Sequence, residues 1–194
     1  AAVKLGIQVV TFFAFSSENW TRPRSEVVML LRALNYFLDR EIRELDEKNI
    51  RLKFIGREDP IPAYLVRKLK EAQQKTRQNT GVTMVLALNY GGRQEIIDAA
   101  RKFAKDVLHH AAEASALDEE KFQEYLYTAG LPDPDLLIRT SAEMRISNFL
   151  LWQLSYAELY FPRKLWPDFK EEDFYKAIEE YQKRERRFGG VNPR

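Results

Sequence analysis

The sequence predicts an α/β fold: a mainly parallel central sheet with helices on both faces. Three observations carry this. Strand-like runs at 7–15, 51–56, 82–89, 136–138 and 157–161 alternate with helical stretches through the chain. The runs IQVVTFFAF and VTMVLALN are β-branched, aromatic and aliphatic with almost no polar alternation, as strands buried on both faces should be. No repeat or low-complexity linker interrupts the 194 residues, so one domain over 1–194 is expected.

Taken in order, residues 1–6 read as a last helical turn punctuated by Gly6. After the first strand comes a polar loop, Ser16 to Pro23. A long helix over 25–48 carries an apolar stripe of Val28, Leu31, Leu34, Leu38, Ile42 and Leu45. Prolines open a second helix over 60–78, and Asn79-Thr80-Gly81 closes it. Gly91-Gly92 is a strand-to-helix turn before a third helix over 93–110, with Ile96, Ile97, Ala100, Phe103, Ala104 and Val107 inward. A small-residue connector at 111–117 precedes a helix over 118–129, with Asp118 as its N-cap. An apolar helix is expected from about Asn148, and a charged one over 167–187.

Composition excludes several classes. Lys+Arg number 31 against 29 Asp+Glu, so the charges nearly cancel and bulk nucleic-acid binding is not expected. Without cysteine there is no disulfide, thiolate zinc site or Cys nucleophile, which fits a cytoplasmic protein. No apolar run reaches the roughly 18 residues that span a bilayer. The chain opens Ala-Ala-Val without an initiator Met, and a segment upstream is expected.

In a parallel sheet, ligands bind beyond the carboxyl ends of the strands. The loops after Phe15, Asn89 and Arg139 should therefore share a rim. Residues 135–161 order a strand ending in Arg139, a polar loop with Glu143, Arg145 and Ser147, and a helix start. Backbone N–H groups of a helix N-terminus and two forked guanidiniums would hold a phosphate; surface ion pairs on a plain βα corner are the alternative. Ser16, Asn19 and Arg22 beside Phe15 and Trp20 could bind a phosphate-bearing ligand and cover its apolar part, or could simply serve their turn. Glu158 lies in an apolar strand, where a carboxylate must be exposed, paired or on a metal, and Mg²⁺ takes such an oxygen beside a diphosphate. Neither GxGxxG nor GxxxxGK[ST] occurs. His109-His110 reads as a solvated helix end.

The segments FAFSSENWTRP, LNYGGRQEI, DLLIRTSAEMRISNFLLWQLSYAELYFPRKLWPDF and RERRFGG together closely resemble the cis-prenyltransferases, the undecaprenyl diphosphate synthase family. The likeness runs in order over nearly the whole chain. It implies condensation of isopentenyl diphosphate onto an allylic diphosphate with a new cis double bond, Mg²⁺ dependence, a homodimer, a parallel sheet with a hydrophobic tunnel, and peripheral membrane association through the lipid product. Carried over by residue, it puts Arg139, Arg145 and Ser147 on the isopentenyl diphosphate, Glu158 on Mg²⁺ and Arg22 on the allylic diphosphate. Phe15, Ser16, Asn19 and Trp20 match the loop shaping the reacting centre, with Ser16 and Asn19 the candidate catalytic residues. Arg187 falls in an Arg-x-Gly segment that reaches across the dimer. Leu31, Leu34, Leu38, Ala14 and Leu86 are candidate tunnel lining, with ordinary core as the alternative.

Two departures stand out. The family's Asp-containing Gly-rich loop is expected upstream of Ala1, so the chain as written should turn over little. Ala142 stands where the family usually has Gly; its methyl group would crowd a diphosphate or restrict a positive-φ backbone, and with the surrounding motif intact it is expected to be tolerated. A non-catalytic partner subunit is the alternative function, but such partners tend to lose the diphosphate-binding residues kept here. An unrelated phosphate-binding α/β module is a third reading, against which the length of the match speaks.

Overall fold

In the computed structural model, which describes residues 1–185, the chain divides into two compact units, Ala2–Pro132 and Asp133 onward with Ala1. The first is organised around Thr83–Tyr90 (β3), the central strand of a three-stranded parallel sheet. Val9–Ser16 (β1) and Arg51–Ile55 (β2) flank it, in the order β1-β3-β2. Among the described residues only β3 is paired on both edges, and its residues Val85 to Tyr90 are all buried.

The expectation that the first strand is buried on both faces is not met. Phe15 alone is buried in β1, and Ala14 is exposed. The reason is position: β1 is an edge strand, paired to β3 alone. The β1–β3 ladder is also irregular at its carboxyl end. Phe13 faces Ala87, Phe15 faces Leu88 and Ser16 faces Tyr90, so Ala14 is an extra residue on β1 and Asn89 an extra residue on β3. Such bulges re-aim side chains where a ladder ends.

Arg24–Glu47 (α1) and Ala63–Lys75 (α2) build the main core with this sheet. Leu38 and Leu45 of α1 and Leu65, Leu69 and Ala72 of α2 pack with Leu52, Leu86 and Leu88. Leu65 and Leu69 are fully buried, and truncating either to Ala should cost about 2–5 kcal/mol. Val27 takes the buried place expected of Val28, which is exposed. Thr76, wholly buried at the end of α2, accepts from Leu52 N and donates to Ala72 O, both at 3.0 Å. One hydroxyl thus satisfies a β2 amide and adds a second bond to a carbonyl of the last helical turn, which also accepts from Thr76 N at 3.2 Å. Gly56, with φ +123°, follows β2; a Cβ there would meet Leu88 O at 1.9 Å, so only glycine lets the chains pass.

Gly92–Leu108 (α3) buries a different face from the one its apolar residues suggest. Glu95, Ala99 and Phe103 point inward at four-residue spacing, while Ile97, Ala100 and Ala104 are exposed. Glu95 is the cause. Its carboxylate accepts from Tyr127 N at 2.9 Å and from the Tyr90 hydroxyl, so the helix turns an acid inward to a paired site. The helix expected over 118–129 shortens to Glu119–Gln123 (α4); Asp118 caps it, accepting from Lys121 N at 2.7 Å.

In the second unit, Leu136–Ile138 (β4) and Glu158–Tyr160 (β5) form a two-stranded parallel sheet, and Glu171–Gln182 (α5) follows. The helix expected from Asn148 is absent. Residues 147–156 form successive turns, because Ser147, Asn148 and Leu150 take φ of 46°, 62° and 42°, outside the right-handed helical region. Phe149, Leu150 and Leu154 are nonetheless buried, so their helix-like spacing reports burial without a helix.

Candidate functional site

The polar loop after β4 is pinned to the chain after β5. Arg139 N donates to Tyr160 O at 2.9 Å, Ser141 N to Lys164 O at 2.7 Å and Ala142 N to Pro162 O at 3.0 Å. On this frame the Arg139 guanidinium gathers the loop: Nη1 donates to Ser147 Oγ at 2.8 Å and to Arg145 O at 2.7 Å. Arg139, Arg145 and Ser147 are thus brought together as the sequence anticipated. Glu143 is the acid among them. Its Oε2, closed to solvent and without a hydrogen bond, pairs with Arg145 Nη1 and lies 3.8 Å from Arg139 Nη2. The cluster carries two cations against one anion. Burial, and then the Arg145 charge, lower the pKa of Arg139, so a further anion would relieve the site. With no helix at Asn148, the loop would present guanidiniums and turn amides to an anion, without a helix N-terminus.

Glu158 opens β5, with its side chain 30% exposed. Oε2 accepts from Arg184 Nη1 at 2.7 Å, and the same nitrogen donates to Leu159 O at 3.0 Å. Oε1 has no partner among the described residues. No group of three metal-ligating side chains occurs among them either.

In the first unit, β1 runs into a 3₁₀ turn, Ser17–Thr21. Asn19 Oδ1 accepts from Ser16 N at 3.0 Å, so part of Asn19 serves the turn, while its Nδ2 has no partner among the described residues. Arg22 pairs with Glu26, half exposed on the first turn of α1. Trp20 meets the buried Phe15 ring edge-on at 4.9 Å and donates Nε1–H to Asn89 Oδ1 at 2.8 Å. That bond joins the turn after β1 to the carboxyl end of β3, the neighbouring parallel strand. A cavity of about 560 Å³, lined by Arg51, Lys53, Asn79 and Thr83 among others, opens at the opposite, amino ends of these strands.

A family model described as putative undecaprenyl diphosphate synthase matches residues 1–189. The chain belongs to the undecaprenyl diphosphate synthase family. It is 49% identical to an isoprenyl transferase of Thermotoga maritima, over 98% of this chain and 81% of the relative. It is 47% identical to the (2E,6E)-farnesyl-diphosphate-specific ditrans,polycis-undecaprenyl-diphosphate synthase of Micrococcus luteus, over 98% and 76%. Among solved structures, it is similar to lavandulyl diphosphate synthase from Lavandula x intermedia in complex with dimethylallyl diphosphate. The TM-score is 0.93 at 40% identity, covering 97% of this chain and 81% of the other. A probable undecaprenyl diphosphate synthase from Campylobacter jejuni gives 0.86 at 35%, covering 97% and 86%. The α/β class with a parallel sheet and the transferase activity, cis-prenyl chain elongation, follow from this membership.

Three neighbours of the candidate site residues carry no role in the sequence pattern. Glu143 was visible only as a loop acid. Arg184 lies in the basic run 183–187, where the family resemblance points to Arg187; Arg187 itself lies outside the described residues. Asn89 gave no local signal, because its partners are 30 to 69 residues away. Ala14, a tunnel candidate, is exposed on its bulge; Leu38 and Leu86 are core, and Leu31 and Leu34 are half-buried against it.

Proposed function

We propose that the protein condenses isopentenyl diphosphate onto an allylic diphosphate, and that the loop over 139–148 holds the isopentenyl diphosphate. The observation that carries this is the single guanidinium, Arg139, that gathers Ser147 and Arg145 around a net positive, anion-seeking cluster. On diphosphate binding, Arg139 and Arg145 turn from Glu143 to phosphate oxygens, a stronger and doubly charged partner. Ser147 adds a hydroxyl donor.

Glu158 suits Mg²⁺ as one of the few carboxylates that ion takes alongside substrate phosphates and water. Its free Oε1 offers the ligand atom, and Arg184 would release Oε2 as the diphosphate arrives. Bound there, Mg²⁺ would neutralise diphosphate charge. Arg22 is assigned to the allylic diphosphate, supported by its half-exposed position at the mouth of α1. Fixed cations at that leaving group stabilise the charge it gains as the allylic C–O bond ionises. Holding the isopentenyl double bond against the resulting carbocation converts an encounter into a first-order step. Ser16 and Asn19 lie beside the reacting centre in this reading, with the free Asn19 Nδ2 as donor. The proton leaves to a substrate diphosphate oxygen or to the Ser16/Asn19 region.

An allylic substrate is supported by the dimethylallyl diphosphate in the lavandulyl enzyme and by the farnesyl specificity of the Micrococcus relative. Phe15, Trp20, Leu31 and Leu34 offer an apolar path for the prenyl chain, the start of a tunnel. We read both units as one cis-prenyltransferase domain, since one family model covers them. The homodimer, with Arg187 reaching across it, rests on the Arg187-Phe188-Gly189 match. No helix among the described residues is long and apolar enough to cross a membrane, in keeping with a cytoplasmic enzyme that meets membranes through its product. The test is calorimetric titration of isopentenyl diphosphate into Arg139→Ala and Arg145→Ala. Each should bind at least about tenfold more weakly while folded, the worth of one charge-assisted contact; unchanged affinity in both would sink the assignment.

A further inference from the structure

We infer that Asn89 is a positioning residue: it fixes the Trp20 indole, and through it the wall against which the allylic prenyl chain lies. The second half rests on the function proposed above.

Asn89 is the extra residue of β3 at its carboxyl end, 5% exposed and held at φ 47°. Asparagine tolerates that left-handed backbone better than other side chains of its size. The bulge turns its amide into the gap between two segments. Oδ1 accepts from Trp20 Nε1 at 2.8 Å, and Nδ2 donates to Asp59 O at 2.7 Å and to Arg57 O at 3.0 Å. A ring N–H on one end and two carbonyls on the other leave only one orientation of the amide. Arg57 N returns a bond to Asn89 O at 3.3 Å.

The two ends of this bridge differ in firmness. On one side, Gly56 lies against Leu88, and Arg57 is clamped by Asp98 through Nε at 2.7 Å and Nη2 at 2.8 Å. On the other side, Trp20 sits on a five-residue 3₁₀ turn; its ring packs against Phe15 and the core beside it, and its indole N–H is held by Asn89. Indole orientation is therefore referred to the sheet through one amide. Aspartate would keep the acceptor and lose both donors, and glutamine would be a methylene too long for the gap.

The test begins on the unmutated protein, by NMR solvent exchange of the indole N–H groups. The Trp20 Nε1–H should be protected relative to that of Trp166, which is 61% exposed. Equal exchange would overturn the inference. Next, Trp152→Phe with Trp166→Phe leaves Trp20 as the sole reporter of the three tryptophans. In that protein Asn89→Gly, which suits φ 47°, should lower the fluorescence anisotropy of Trp20. It should weaken farnesyl diphosphate binding about tenfold and isopentenyl diphosphate binding by no more than about twofold. In a Trp20→Phe background, Asn89→Gly should add nothing to the farnesyl diphosphate effect. Equal weakening of both ligands, or full additivity with Trp20→Phe, would show a merely structural role and overturn the inference. Failure of the unmutated protein to bind either diphosphate would instead overturn the functional reading, and the indole exchange result would still decide the Asn89–Trp20 contact.

Discussion

Arg184 Nη1 donates to Glu158 Oε2 at 2.7 Å, so one oxygen of the carboxylate assigned to Mg²⁺ is held by a cation of the same unit. The pair is about one-third exposed on both sides, which limits its worth to about 1 kcal/mol. Arg184→Ala should therefore free Glu158 and tighten Mn²⁺ or Mg²⁺ binding in the presence of isopentenyl diphosphate about fivefold, the equivalent of that energy. Electron paramagnetic resonance of Mn²⁺ would read it. Weaker metal binding in the variant would mean that Arg184 supports the site rather than competing for it.

Glu143 is the counter-charge of the loop cluster and must yield when a diphosphate enters. Glu143→Gln keeps the shape and removes the competitor. Pyrophosphate should bind about threefold more tightly at low salt, a surface-pair effect that shrinks as salt rises. A loss of affinity would show that Glu143 orients the arginines more than it opposes the ligand.

Ala142 holds φ 54°, a backbone that costs a residue with a Cβ about 1 kcal/mol, part of which glycine returns as extra unfolded-state entropy. Ala142→Gly should raise Tm by up to about 2–4 °C in a chain of this size. No rise, or a fall, in a calorimetric scan would place the strain elsewhere.

The Arg57–Asp98–Tyr127 cluster sets an acid-side dependence. The Arg57 guanidinium first, and the Tyr127 hydroxyl after it, hold the Asp98 carboxyl below its ordinary value, and burial pushes the Tyr127 phenol up. A carboxylate with a lowered folded pKa stabilises the fold above its unfolded pKa, and that contribution is lost as pH falls from about 4 through the folded value. Asp98→Asn should flatten the loss of Tm below about pH 4 and cost about 2 kcal/mol at pH 7, as a charge-assisted bond lost. An unchanged acid limb would mean that Asp98 is not part of it.

Much of this was legible because it is local. The buried run of β3, the N-cap Asp118 and the grouping of Arg139, Arg145 and Ser147 follow from short-range pattern and turn chemistry. Other features depend on distant partners. Glu95 turns α3 onto an unexpected face because Tyr90 and Tyr127 satisfy its carboxylate. The turns over 147–156 bury apolar side chains at helical spacing while their backbone dihedrals forbid a helix. Trp20 finds Asn89 across 69 residues, through a bulge that no periodicity announces.

The central claim is that the loop after β4, with Glu158, is an isopentenyl diphosphate site. Calorimetric titration of isopentenyl diphosphate with and without Mg²⁺, on the unmutated protein and on Glu158→Gln, tests it most directly. Mg²⁺ should tighten binding to the unmutated protein about tenfold and leave Glu158→Gln nearly unaffected. Equal Mg²⁺ enhancement in both proteins, or no binding to either, would contradict the claim.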